Sequence, residues 1–165
     1  MTEFCAAIGR VRLKKLKKDN KIRRSNADFL IRIFKDFEGI TFLKPMNKSK
    51  CVYHKLVLKF HKKYFKLNLK KFIKKLQMNG ILIKETYPPL NEHPHFNPIV
   101  KPARGIPWKW KLLSKNRSLP LKLKNLKFPI SNNLINNVLI ELDINPLVTK
   151  KMLKNFYELC LKFKK

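Results

Sequence analysis

Apolar residues recur along the chain with two periods, and the changes of period mark the elements. Over residues 2–18, Ala7, Val11 and the pair Ile8/Leu16 fall near helical spacing with lysines between them, which predicts a helix. Leu30, Ile33, Phe34 and Phe37 keep the i, i+3, i+4, i+7 rhythm and predict a second helix over 26–37. Ser25 or Asn26 is placed to cap its start and Gly39 to end it. The basic stretch Lys21 to Arg24 separates the two patterns, which form either one long bent helix or two helices in series. Residues 51–60, CVYHKLVLKF, alternate and are rich in β-formers, so a strand is predicted there. Leu69, Phe72, Ile73 and Leu76 make an apolar stripe over 69–78, with Asn68 as N-cap and Asn79-Gly80 as terminator. ILIKETY at 81–87 and NVLIEL at 137–142 read as further strands. Leu153, Phe156, Tyr157 and Cys160 share one face of a last helix over 149–163, with Thr149 near its N-cap.

From Pro88 to about Pro120 neither period holds. Most of the prolines, both tryptophans and two of the four histidines fall there, which reads as an ordered irregular excursion. The order is helix, helix, strand, helix, strand, long loop, strand, helix, with no internal repeat. It predicts an α/β (α+β) sandwich: a short mixed or antiparallel sheet with helices packed on one face, preceded by a long helix or helix pair.

Composition narrows the class. The 165 residues suffice for one core, and 44% hydrophobic content predicts a packed fold. Lysines interrupt every apolar run, so no membrane helix is expected. Residues after Met1 show no secretory pattern, and Cys5, Cys51 and Cys160 are scattered, which suits reduced thiols in the cytoplasm. Lys+Arg number 39 against 10 Asp+Glu, a net charge of +29. One reading is a nucleic-acid or anionic-surface partner. The other is an AT-rich coding sequence, since Lys, Asn, Ile, Phe and Leu crowd the chain while Ala and Gly are few. Both predict non-specific polyanion binding at low salt.

Self-contained catalytic signatures are missing from the pattern. No Gly-rich phosphate loop, Ser-His-Asp arrangement or Cys-His pair is visible. His93 and His95 form an H-x-H pair without a Cys or carboxylate in register, so no metal is expected. Trp108 and Trp110 flank Lys109, an alternation that stacks on bases in some proteins and packs a loop in others.

The opening, MTEFCAAIGRVRLKKLKKDNKIRRSNADFL, resembles the DegT/DnrJ/StrS aminotransferase family, whose segment reads R-M-T-E-x-x-A-A-I-G-x-x-Q-L-x-x-L-D and then N-x-x-R-R-x-x-N-A. Met1, Thr2, Glu3, Ala6, Ala7, Ile8, Gly9, Leu13 and Leu16 fall on it, as do Arg23, Arg24, Asn26 and Ala27. VYHKLVLKF at 52–60, NGILIKETYPPLNEHPHF at 79–96, RGIPWKW at 104–110 and the strand-helix after Asn137 are similar to family segments in the same order. Arg12, Lys17 and Asn91 depart from the family's glutamine, aspartate and histidine.

The resemblance implies the small C-terminal domain of a fold-type-I enzyme dependent on pyridoxal phosphate (PLP), in a homodimeric family. Residues 1–40 would connect the large and small domains, and 41–165 would form the small domain with the irregular 88–120 segment. The implied chemistry moves an amino group from glutamate or glutamine to a keto-sugar nucleotide or keto-cyclitol. The family's Schiff-base lysine, the aspartate on the pyridine nitrogen and the phosphate ligands lie upstream of the segment matched by Met1. The expectation is therefore no catalytic lysine in this chain, no cofactor on the chain alone, and an upstream fragment as partner. Tyr87, Asn91 and His93 fall in the motif expected near the active-site mouth, and His54 opens a strand from which it could face the substrate. Against each stands plain loop or strand packing. Two other readings remain open: a basic nucleic-acid-binding or scaffold protein, and a remnant of a split gene.

Overall fold

The computed structural model describes residues 2–43, 45–46, 49–89 and 127–165. The chain divides into two compact units, one made of Met1–Glu85 with Asn137–Lys165 and the other of Thr86–Asn136.

In the first unit, the opening is one helix, α1 (Glu3–Ile33), not two. At 1.5 Å per residue it runs about 46 Å. Thr2 caps it, its hydroxyl accepting from the Cys5 amide. Nothing between Lys21 and Arg24 breaks it, because Lys and Arg are good helix formers. Asn26, Ala27 and Leu30 are its buried residues. The helix ends four residues before the predicted 37, with Phe34 as C-cap. Phe34 and Phe37 stay in the core through a turn (Phe37 N–H to Phe34 O, 3.0 Å), so the apolar rhythm outlasts the helix.

Four strands form an antiparallel sheet in the order β1-β2-β4-β3: β1 (Ile40–Phe42), β2 (Leu56–Phe60), β3 (Ile83–Glu85) and β4 (Leu139–Leu142). β1 was not predicted. The other three are shorter than their predicted spans, and the reasons are local. Tyr53 has φ +50°, which bends the chain before Leu56 and leaves 51–55 outside the strand. Residues 134–138 form a wide helical turn, so β4 begins at Leu139. Both edge strands have three residues, which limits the unpaired edge offered to other chains.

The register Phe60–Ile40, Leu58–Ile140, Leu56–Leu142 and Leu142–Ile83 lines apolar residues on one face. α2 (Leu69–Met78) adds Leu69, Phe72, Ile73 and Leu76 to the same core, capped as predicted by Asn68, whose side chain accepts from Lys71 N–H at 2.9 Å. Gly80, at φ +76°, takes the left-handed turn that stops α2. The last helix, α4 (Lys150–Phe163), adds Leu153, Phe156 and Cys160 and is capped by Thr149. Phe60, Phe65 and Phe72 touch one another at ring centroids 4.7–4.9 Å apart. Phe34 contacts Phe37, Phe42, Phe156 and Tyr157, locking the end of α1 to β1 and α4. Gly39 is required where it stands, because a Cβ there would lie 2.7 Å from the Phe65 ring.

In the second unit the described residues are Thr86–Pro89 and 127–136, with one short helix, α3 (Pro129–Asn133), carrying proline in its first turn. Apart from Pro88 and Pro89, the irregular segment predicted over 88–120 lies outside the described residues.

Candidate functional site

The four residues singled out in sequence have separate fates. His54 is exposed, on the bend between Tyr53 and β2 rather than in a strand. The positive φ of Tyr53 turns the chain there, so the predicted alternation does not orient His54 across the sheet. Tyr53 is half-buried, and burial, then Cys51 and Asp28, push its phenol above the ordinary range. Tyr87 belongs to the second unit and is 69% exposed. Asn91 and His93 lie outside the described residues, as do His95, Trp108 and Trp110. The described residues thus assemble no site from the four.

What the first unit does assemble is a charged cluster that was not expected from the sequence. Val57, Glu141 and Lys84 stand opposite one another on β2, β4 and β3, on the sheet face away from the helices. Glu141 is 6% exposed. The Lys55 ammonium donates to its Oε2 at 3.0 Å, and the Lys84 ammonium lies 3.5 Å from the same oxygen. A buried carboxylate is costly without partners and tolerable with two cations. The sequence held a faint signal: Glu141 is the one charged residue in the apolar run NVLIEL. Its partners come from distant segments, so spacing could not reveal them.

The cluster borders a cavity of about 450 Å³ lined by Lys55, Gln77, Gly80 to Lys84, Glu141 and Asp143. Its polar groups are engaged within the fold. Gln77 Nε2 donates to Ile83 O at 2.7 Å, and Asp143 Oδ1 accepts from the Asn145 amide at 2.8 Å. A second hollow of about 540 Å³ follows residues 31–42, with Lys35, Asp36 and Glu38 in its lining. Among the described residues, no group of three His, Cys, Asp or Glu converges as metal ligands, and no helix is long and apolar enough to cross a membrane.

PLP would need a lysine free to form a Schiff base, a slot for a flat ring and donors for a phosphate dianion. The described residues do not fit. The cavity beside Glu141 has no aromatic or hydroxyl residue in its lining, and its two lysines serve Glu141. The second hollow has two carboxylates, Asp36 and Glu38, in its lining, which repel a phosphate dianion. The Lys150 ammonium is shifted down, by burial and then by Arg32. It is committed to packing: its ammonium donates to Ser25 O and lies 4.9 Å from the Phe29 ring centroid.

The fold and sequence have known counterparts. The sequence profile of the DegT/DnrJ/EryC1/StrS aminotransferase family matches residues 1–128. Among curated proteins none matches. Among solved structures, PseC of Helicobacter pylori, an aminotransferase involved in the biosynthesis of pseudoaminic acid, is 22% identical and superposes with a TM-score of 0.65 over 95% of this chain and 36% of its own. DesV of S. venezuelae, solved in complex with a ketimine intermediate, gives 17%, 0.64, 95% and 35%. The aminotransferase from Psychrobacter cryohalolentis gives 15%, 0.67, 97% and 38%. At these identities the likeness establishes the fold. The chain spans little more than a third of the length of these structures.

Proposed function

The chain belongs to the DegT/DnrJ/EryC1/StrS aminotransferase family, and from that membership we propose that it is the small-domain part of a PLP-dependent sugar aminotransferase, inactive by itself. In the assembled enzyme, residues 1–40 connect the large and small domains and 41–165 form the small one. The reaction moves an amino group from glutamate or glutamine to a keto-sugar nucleotide or keto-cyclitol in the cytoplasm. PLP, when bound, supplies the electron sink. Its lysine comes from outside the residues described here, on an upstream segment or fragment, and the assembled enzyme is a homodimer. Tyr87, Asn91, His93 and His54 are the substrate-facing candidates that this chain contributes.

The observation that carries this reading is the surface of α1. Its last two turns are packed, but Phe4, Ile8, Val11, Leu13 and Leu16 are 47–75% exposed. So many large apolar side chains on one exposed helix mark a surface that meets another folded body. The test is cofactor trapping. The chain is mixed with PLP, reduced with borohydride and digested for mass spectrometry. No specifically labelled lysine is expected from the chain alone. One lysine labelled in full would overturn the proposal, because this chain would then hold the cofactor unaided.

A further inference from the structure

On α1 the cations are not evenly distributed. Between Phe4 and Ala27 the sequence has nine Lys or Arg and one carboxylate, Asp19. At about 100° per residue, Arg10, Lys14, Lys17, Lys21 and Arg24 fall within one sector of about 80°, following i, i+4, i+7, i+11, i+14. Asp19 falls on the opposite side. Arg10, Lys14, Lys17 and Lys21 are exposed and Arg24 is half-buried. The result is a straight row of cations about 21 Å long with steps of about 4.5–6 Å.

Like charges three or four residues apart each destabilise a helix by a few tenths of a kcal/mol. The row therefore strains α1 unless an anion lies along it. We propose that this row is a docking surface for the backbone of a single-stranded nucleic acid, bound without base recognition. This goes beyond the aminotransferase reading and does not depend on it. A flexible strand can set its phosphates to the spacing of the row, whereas a duplex carries its charges on a rigid cylinder, one per about 1.7 Å of axis. The sector holds no large apolar or aromatic side chain. That disfavours a lipid surface, which takes cations beside an inserted apolar face, and it removes the stacking that would read bases. Phe4, Ile8, Val11 and Leu16 lie about 100–160° round the helix from the centre of the row, so docking of another body there leaves the row open, while Leu13, about 60° away, borders it.

The experiment uses the full chain and a fluorescein-labelled polyuridine RNA of about 20 nucleotides, with anisotropy titrations between about 50 and 200 mM salt. In one variant Arg10, Lys14, Lys17 and Lys21 are replaced by Gln, which keeps helix propensity. In the other, Lys70, Lys71, Lys74 and Lys154, exposed on α2 and α4, are replaced by Gln, removing the same charge. The expected result is a slope of log K against log salt shallower by about 3 in the first variant, from about 0.7 per phosphate contact. The second variant keeps the parent slope to within about 1. Equal loss in both would show that only total charge matters and would overturn the proposal. So would a row-dependent preference for duplex RNA, or for vesicles of anionic phospholipid, over the single strand. Helicity measured in parallel by circular dichroism must match between the two variants. A first variant that loses its slope only together with its helix also counts against the row.

Discussion

Asn26 tests how the end of α1 is fastened. It is 3% exposed, and its Nδ2 donates to Val148 O at 3.0 Å, across 122 residues of sequence. Asn26→Ala removes the donor and leaves the Val148 carbonyl, in a residue 7% exposed, without that partner. A buried polar group orphaned in this way costs about 1–3 kcal/mol. Taking about 2 kcal/mol, the unfolding constant rises roughly 30-fold and Tm falls about 4–8 °C for a chain of this size. The assay is urea unfolding followed by far-ultraviolet circular dichroism, where the midpoint should fall at unchanged m. The control is Thr41→Val, which removes a bond of the same 3.0 Å length, to His61, at an exposed position. It should cost less than about 0.5 kcal/mol. Asn26→Asp adds a check on sign. Its buried carboxyl has a folded pKa above the unfolded value of about 3.9. Its stability is thus highest below about pH 3.9 and is lost as pH rises through the folded pKa. At pH 7 it should be less stable than Asn26→Ala, and the gap should close toward pH 4. Equal costs for Asn26→Ala and Thr41→Val, or a gap that ignores pH, would refute the reasoning.

Three further outcomes follow from the core. Phe72→Ala opens a hole among Phe60, Phe65 and Phe163 and should cost about 3–5 kcal/mol by the same urea assay. Gly39→Ala drives a methyl group into the Phe65 and Phe37 rings at 2.7–2.8 Å and should cost about 1–3 kcal/mol. Burial pushes the Cys160 thiol well above its ordinary range. The stability this gives is complete below the unfolded pKa of about 8.5 and is lost as pH rises beyond it. The urea midpoint should therefore decline in that window, with a smaller decline in Cys160→Ala. In the folded protein a thiol reagent should label the exposed Cys5 and Cys51 and spare Cys160.

The elements that were legible in the sequence are those whose period survives to both caps. α2 matches its predicted 69–78 because Asn68 and Gly80 bound an uninterrupted stripe. The family resemblance was legible in the opening motif, and Asn26 and Ala27 of that motif prove to be the first buried residues of α1. β1 was hidden because three residues are too few for alternation to show, and Phe34 and Phe37 extended the helical rhythm through a turn. The bend at His54 was hidden because CVYHK alternates as a strand does, and only the backbone angle at Tyr53 breaks it. The Lys55–Glu141–Lys84 cluster left only the lone charge of Glu141 in NVLIEL as a trace, since the cluster exists only once β4 lies between β2 and β3.

That strand order also sets a timetable. β4 is the partner shared by β2 and β3, yet it is synthesised well after both. At about 5–20 residues per second, the stretch from the end of β3 through β4 takes of order 3–10 s to make. Through that interval the apolar faces of Leu56, Leu58 and Ile83 wait on a growing chain for Ile140 and Leu142. A chain cut short before Leu139 cannot close its sheet, because β2 and β3 then lack the strand they share.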